Sequence, residues 1–301
     1  MQVQPDKPEK VCAIVVTYHP QPSVVDNLRR LQPQVTETVV VDNGSGKNSE
    51  RTLTELETIP GIHLIRNSKN LGIAEALNTG IRYAANANYN WVITFDQDST
   101  VTPDFTTTMW TAYESCPFKE RVALISPVHC SSEADWKQKS AQESYPVYSS
   151  IRTAMTSGSL IKTRALLGVG LYDEAMFIDY VDFDLCLRLW RRGDKLICSR
   201  RSFLLHHLGS PEDYSIFGFP FKIIAHSPIR RYYIMRNRVL MYRRYFRFFP
   251  LWVMKDFGWL LLEFTKILLI EQDTRAKFQH AIKGIRHGVA GITGQFVPNN
   301  I

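Results

Sequence analysis

The first hundred residues alternate between two kinds of segment, and this alternation constrains the fold more than any other feature. Val11–Thr17 (VCAIVVT) and Thr38–Val41 (TVVV) are unbroken runs of apolar and β-branched residues, the pattern of strands covered on both faces. Between them, Pro22-Ser23 opens a helix predicted near Ser23–Leu31. Asp42-Asn43-Gly44-Ser45-Gly46 is a strong turn former after the second strand. Ile62–Arg66 predicts a third strand, Ile73–Ala87 a helix, and Trp91–Phe95 a fourth strand. Strands and helices in this order predict an α/β fold with a parallel, doubly wound sheet. Beyond Arg121 the pattern loosens. Val122–Ser126, Thr156–Ile161, Lys195–Cys198 and Phe203–His206 read as short strands, Glu133–Tyr148 as a polar loop, and Asp182–Arg192 as a helix.

With 301 residues, 45% of them hydrophobic, the chain can bury one large α/β core with an appendage. The five cysteines, Cys12, Cys116, Cys130, Cys186 and Cys198, form no close CxxC pair, so reduced, buried thiols in a cytosolic setting are expected. Met1–Lys10 has no apolar run of the secretory kind.

The fourth strand ends in Asp96-Gln97-Asp98. Ligands of open α/β sheets bind beyond the carboxyl ends of the strands. Two carboxylates there suit a hard divalent cation such as Mg²⁺ or Mn²⁺, held together with a substrate's phosphates. A solvated turn or a helix N-cap would use the same residue types. Three further loops are expected at the same edge: Thr17-Tyr18-His19-Pro20, Asp42-Asn43-Gly44-Ser45 and Asn70-Leu71-Gly72-Ile73. An acid after the second strand can accept hydrogen bonds from a ribose or base, and Gly72 at a helix start permits close approach to a ligand. Neither a G-x-G-x-x-G after the first strand nor a G-x-x-x-x-G-K-[ST] occurs, which argues against a dinucleotide cofactor and a P-loop ATPase.

The net charge of +7 is concentrated late: residues 215–301 hold 14 Lys/Arg against 4 Asp/Glu. Such a block implies a polyanionic partner: nucleic acid, an anionic membrane surface or a phosphorylated substrate. From Pro228 the chain reads as helical, with Arg interleaved among Tyr, Phe, Met and Leu. No run approaches the ~20 apolar residues of a spanning helix. Lys255, Asp256, Glu263 and Lys266 share an arc of roughly 100°, interrupted by Trp259, which leaves a broad apolar face. That face suits either a membrane interface or packing onto the preceding domain.

The motifs VVTYHP, VVVDNGS, RNSKNLGIAEALNTG, TFDQDS and VDFDLCLRLWRRG, in this order, resemble family 2 nucleotide-sugar glycosyltransferases of the GT-A fold. VTYHP, FDQDS, FIDYVDFD, HHLG and RRYYIMRN are similar to the bacterial rhamnosyltransferase branch, over roughly residues 10–240. The resemblance implies a catalytic domain over 1–225, with a nucleotide half at about 10–125 and an acceptor half at about 126–225, followed by a basic, amphipathic helical region at 226–301. It also implies roles. Thr17, Tyr18, Asp42, Asn43, Arg66, Asn70 and Gly72 would bind the nucleotide. Asp96 would touch ribose or metal, and Asp98 would be the firm metal ligand. His206, preferred over His207, would be a third metal or pyrophosphate contact, and Arg236 would meet a phosphate. Asp182 aligns with the catalytic base of the family; Asp179 and Asp184 are the alternatives, and one of the three acids suits a helix N-terminus.

The expected reaction is inverting, metal-dependent transfer, with L-rhamnose from dTDP-L-rhamnose as the leading donor and another hexose from a UDP donor as the rival. The acceptor would be lipid-linked or a polysaccharide, met at the inner face of the cell membrane by a cytoplasmic, peripheral enzyme. A basic nucleic-acid-binding protein is the distant alternative; it gives no reason for acids at strand ends, so no nucleic-acid partner is expected. The oligomeric state is open.

Overall fold

The computed structural model describes residues 9–141, 146–206, 211–216, 219–224, 226–269, 271 and 273–297. The chain forms two compact units, Met1–Glu174 with Asp182–His207, and Ala175–Val181 with Leu208–Ile301.

The first unit runs β1 (Val11–Thr17), α1 (Ser23–Leu31), β2 (Glu37–Asp42), α2 (Glu50–Glu57), β3 (Ile62–Arg66), α3 (Ile73–Asn86), β4 (Trp91–Asp96) and β5 (Ser99–Val101). It continues through α4 (Phe105–Glu114), β6 (Val122–Cys130), α5 (Glu133–Ser140), β7 (Tyr148–Ile151), β8 (Ser159–Lys162), α6 (Thr163–Gly168), α7 (Val181–Arg192) and β9 (Lys195–His206). Nine strands form one sheet in the order β3-β2-β1-β4-β8-β6-β9-β5, with β7 on β9. The four strands at the β3 edge are parallel, as the alternation predicted. β8 then runs antiparallel to both β4 and β6, so the sheet is mixed. The strands expected at Lys195–Cys198 and Phe203–His206 are one strand, β9. They are its two paired stretches, set apart by a register shift opposite Ser126 and Val128 of β6.

All seven residues of β1 are buried. α1 covers the sheet with Val24, Val25, Leu28 and Leu31. α3 turns Ala74, Leu77, Ile81 and Ala84 inward, and it lies so near β1 that a Cβ on Gly80 would come within 2.5 Å of Ile14. Trp91 is buried against the ring edges of Trp110 and Tyr113. Truncating a core Trp of this kind costs about 3–5 kcal/mol. The five cysteines are free and buried, as expected.

The second unit contains β10 (Pro211–Ile216), β11 (Phe219–Ile224), α8 (Pro228–Tyr245), α9 (Pro250–Leu269) and α10 (Thr274–Ala290). β10 and β11 pair antiparallel. α8 and α10 meet along a seam of small residues. A Cβ on Gly284 would lie 2.4 Å from the Tyr232 carbonyl oxygen, and one on Gly288 would lie 2.7 Å from that of Arg236. Charges are buried here in quantity. Glu271 pairs with Arg231 and, at 3.1 Å, with Lys277. Arg238 pairs with both Asp256 and Glu263 at 2.9 Å. Arg231, Arg236 and Arg238 are all buried, so part of the C-terminal positive charge lies inside the unit.

Candidate active site

The parallel strands end in register. Thr17 stands opposite Asp42, Asp42 opposite Arg66, and Val16 opposite Asp96. This alignment places the four loops on one edge of the sheet, where the sequence reading puts the ligand. Asp42 is buried and accepts hydrogen bonds from the Thr17 hydroxyl at 3.1 Å and from the Ser45 amide at 2.9 Å. Asn43, also buried, joins the next loop. Its amide donates to Asn70 Oδ1 and to the Gly72 carbonyl, both at 3.1 Å, and its oxygen accepts from the Leu71 amide at 3.0 Å. Gly44 makes this possible. Its φ is +79°, and a Cβ there would lie 2.3 Å from the Lys69 carbonyl carbon. The Tyr18 amide donates to Gln97 Oε1 at 2.9 Å, and Gln97 donates back to the Tyr18 carbonyl at 3.2 Å, tying the β1 loop to the β4 loop.

After Asp96 the chain turns into β5, which pairs with β9 so that Ser99 stands opposite His206. This pairing carries His206 back to the acids. Single ligand atoms of Asp96, Asp98 and His206 all lie within 4.8 Å of one another. His206 Nε2 is 3.7 Å from Asp96 Oδ2, and Nδ1 is 3.5 Å from Asp98 Oδ1. His206 is buried, whereas Asp98 is half exposed. The Ser99 hydroxyl bonds His206 Nδ1 at 2.8 Å and Ser157 Oγ at 2.7 Å, while Ser157 Oγ accepts from the Asp96 amide at 3.1 Å. With Nδ1 engaged by Ser99, Nε2 is the atom left to face a cation, an arrangement in which the partner hydroxyl fixes tautomer and ring angle. His129 packs edge-on to His206 and donates from Nε2 to the Ser157 carbonyl at 2.9 Å. Burial holds His129 below the ordinary imidazole range, which keeps it neutral beside the cluster. Two carboxylates and one imidazole nitrogen form a donor set that fits a divalent cation with room for phosphate oxygens.

Residues 12–160 match the family model described as glycosyl transferase family 2. The chain is 30% identical to dTDP-rhamnosyl transferase RfbF of Shigella flexneri over 94% of its own length and 97% of the relative's. The chain is a family 2 glycosyltransferase. It is also 32% identical to the uncharacterized protein MJ0544 of Methanocaldococcus jannaschii, over 29% of this chain and 39% of that one. Its GT-A fold is shared with two solved structures. One is the mannosyltransferase PcManGT of Pyrobaculum calidifontis, in complex with GDP-Man and Mn²⁺ (TM-score 0.58, 17% identity, 96% of this chain and 90% of that one). The other is GalNAc-T7 with UDP, GalNAc and Mn²⁺ (TM-score 0.61, 15% identity); 94% of this chain is covered but only 56% of that one.

In this glycosyltransferase the three acids before and within α7 differ. Asp184 is fully buried and accepts from Arg188 Nε at 2.7 Å. Asp179 accepts from Arg230 at 3.1 Å, and burial, opposed by that arginine, pushes its carboxyl above the usual range. Asp182 lies in the first turn of α7, half-buried, and accepts from the Phe183 amide at 2.8 Å.

Two expected donor contacts are placed otherwise. Arg66 reaches back to Glu50 at 2.9 Å and Glu57 at 3.0 Å, a surface cluster worth about 1 kcal/mol or less per pair. Arg236 is buried in the second unit. It donates to the carbonyls of Gly294 and Met176, the latter at 2.8 Å, and to Asn237 Oδ1 at 3.0 Å. A guanidinium enclosed by carbonyls acts as a clamp on the chain rather than as a phosphate ligand. Asn237 has the same role, donating to the carbonyls of Met176, Ile178 and Asp179 at 2.7–3.0 Å. The clamped segment needs holding, because Phe177, Asp179 and Tyr180 all have φ between +63° and +65°, a strained conformation for residues other than glycine.

His207, Leu208 and Gly209 of the HHLG motif lie outside the described residues. Gln97, Ser99, His129 and Ser157 were not singled out from the sequence. Only Ser157 leaves a local signal, a Thr-Ser-Gly-Ser run whose Gly158 has φ +79° directly before β8.

Proposed function

We propose that the chain transfers L-rhamnose from dTDP-L-rhamnose, with inversion, to a hydroxyl of a lipid-linked or polysaccharide acceptor in cell-surface glycan synthesis. The observation that carries this reading is the Asp96–Asp98–His206 cluster at the end of β4, in a chain similar along almost its whole length to a dTDP-rhamnosyl transferase. The network of contacts around Asp42, Asn43, Asn70 and Gly72 supports a nucleotide wall, with Thr17 and Tyr18 at its β1 side.

Asp98, Asp96 and Nε2 of His206 would hold Mg²⁺ or Mn²⁺, which when bound supplies positive charge against the departing diphosphate. Asp182 takes the proton from the acceptor hydroxyl. The acceptor oxygen bonds the anomeric carbon as the bond from that carbon to the diphosphate oxygen breaks, and dTDP leaves with the electron pair. One displacement inverts the centre, so no second nucleophilic carboxylate is required. General-base help of this kind is worth about 10²–10⁴-fold, or about 3–5 kcal/mol of barrier. Asp182 is the acid that aligns with the family's base, and it stands half-buried in the first turn of α7. A lipid-linked acceptor would be met at the cytoplasmic face of the membrane.

The test is dTDP release and thermal stabilisation of the purified enzyme with dTDP-L-rhamnose or UDP-hexoses, with and without Mn²⁺, over a panel of lipid-linked acceptors. Consumption of dTDP-L-rhamnose is expected. Consumption of a UDP-hexose alone would reassign the donor. Asp98→Ala should lose metal-dependent turnover while retaining its circular dichroism spectrum; full activity in that variant would refute the metal assignment.

A further inference from the structure

Helix α9 is oriented with its acids inward and its apolar side outward. Asp256 accepts from Arg238 at 2.9 Å and from the Tyr242 hydroxyl at 2.7 Å, and Glu263 accepts from Arg238 at 2.9 Å. Val253 and Ile267 are buried on the same inward side. At about 100° per residue, Leu251, Met254, Phe257, Trp259, Leu261 and Leu262 fall on the rest of the helix surface. These six are between 49% and 73% exposed. Among the described residues this outer surface carries two charges, Lys255 and the half-buried Lys266, both at one edge of it. An amphipathic helix of a water-soluble protein does the reverse, and a contiguous apolar patch of this kind marks an interaction surface.

The neighbouring sequence says which kind of surface. Arg243, Arg244 and Arg247 are exposed at the end of α8 and in the turn that leads to α9, interleaved with exposed Phe246 and Phe248. No acid occurs between Asp213 and Asp256, and Asp256 is turned inward. A cationic, aromatic rim continuous with an apolar helix face complements anionic headgroups above an acyl boundary. Trp259, apolar in body and polar at its N–H, suits that boundary. Among the described residues no helix is long and apolar enough to cross a membrane, so α9 would lie in the plane. A second copy of the chain would cover the apolar face only by bringing two arginine clusters together without acids between them.

We propose that α9 is an in-plane membrane anchor, its outer face in the acyl boundary of an anionic leaflet and Arg244 and Arg247 on the lipid phosphates. The anchor bears on where the proposed acceptor is met, but its test requires no turnover. Full-length protein is sedimented with phosphatidylcholine vesicles with and without phosphatidylglycerol. Binding to the anionic vesicles is expected, weakening as salt rises. Leu251→Glu combined with Leu261→Glu should lower the partition coefficient about tenfold or more. Arg244→Glu with Arg247→Glu should reduce it several-fold and flatten the salt dependence. Both variants should keep nucleotide-dependent thermal stabilisation, which separates loss of the anchor from failure of the transferase reading. Wild-type protein that ignores anionic vesicles, or an apolar-face variant that binds as well as wild type, overturns the proposal. So does a dimer in light scattering that the Leu251→Glu, Leu261→Glu variant dissolves in the absence of vesicle binding.

Discussion

At the edge of the sheet, Asp96 and Asp98 are held partly in water, 38% and 50% exposed at the side chain, with a buried histidine behind them. In the C-terminal unit, Glu271 is fully enclosed between Arg231 and Lys277, and Asp256 and Glu263 turn away from solvent toward Arg238. The same side-chain chemistry serves opposite ends. An acid kept near water retains its hydration and exchanges it for a ligand at small cost. An acid taken out of water is committed to its partners, because the desolvation penalty returns in full when one partner is removed. The first arrangement suits binding, and the second fixes three helices against one another while one side of α9 leaves apolar residues facing outward.

The largest effect expected from this contrast is on catalysis. Asp182→Asn should lower transfer about 10²–10⁴-fold with donor binding retained, measured as single-turnover rates beside calorimetric titration with dTDP-L-rhamnose. Asp184→Asn should instead destabilise the fold through its arginine partner. If Asp184→Asn kills transfer without lowering the melting temperature, the division between working and structural acids fails. Next, Glu271→Gln should destabilise the C-terminal unit by about 3–5 kcal/mol, because Arg231 and Lys277 lose their shared anion. Chemical denaturation followed by tryptophan fluorescence would reveal it, and a change below about 1 kcal/mol would place this cluster with ordinary surface pairs. The smallest effect belongs to Ser99→Ala, which should weaken Mn²⁺ binding about 10–100-fold by freeing Nδ1 of His206. Restoration by Ser99→Thr is expected; unchanged Mn²⁺ affinity in Ser99→Ala would show that the serine does not orient the ring.

Much of the first unit was legible because burial on two faces leaves an unmistakable run, as in β1 and β4. Residues at strand ends could be placed at one edge because strand order and direction fix that edge. The sequence was weaker wherever a contact depended on direction alone. Nothing in Ser159–Lys162 announces that β8 runs against its neighbours. α5, expected as a loop, buries no residue; the Ser132 cap on the Asp135 amide and the Lys137–Glu133 and Lys139–Asp135 pairs support it, and none of these adds apolar periodicity. Arg236 shows the same limit in the site reading. Its position in the chain suggested a phosphate, but only the folded unit reveals the carbonyls around it. Ser99, Ser157 and His129 escaped notice because each acts through His206 or Asp96, across separations of up to 107 residues.

The clamp on residues 175–179 has a consequence for how distant substitutions are felt. Arg236 holds the Met176 carbonyl with one arm and the Gly294 carbonyl with another, and the Gly294 amide donates to the Ala175 carbonyl. The strained turn that leads directly into α7 therefore depends on partners supplied by α8 and by a residue beyond α10. A substitution at Arg236 would therefore loosen a turn that lies 60 residues earlier in the sequence.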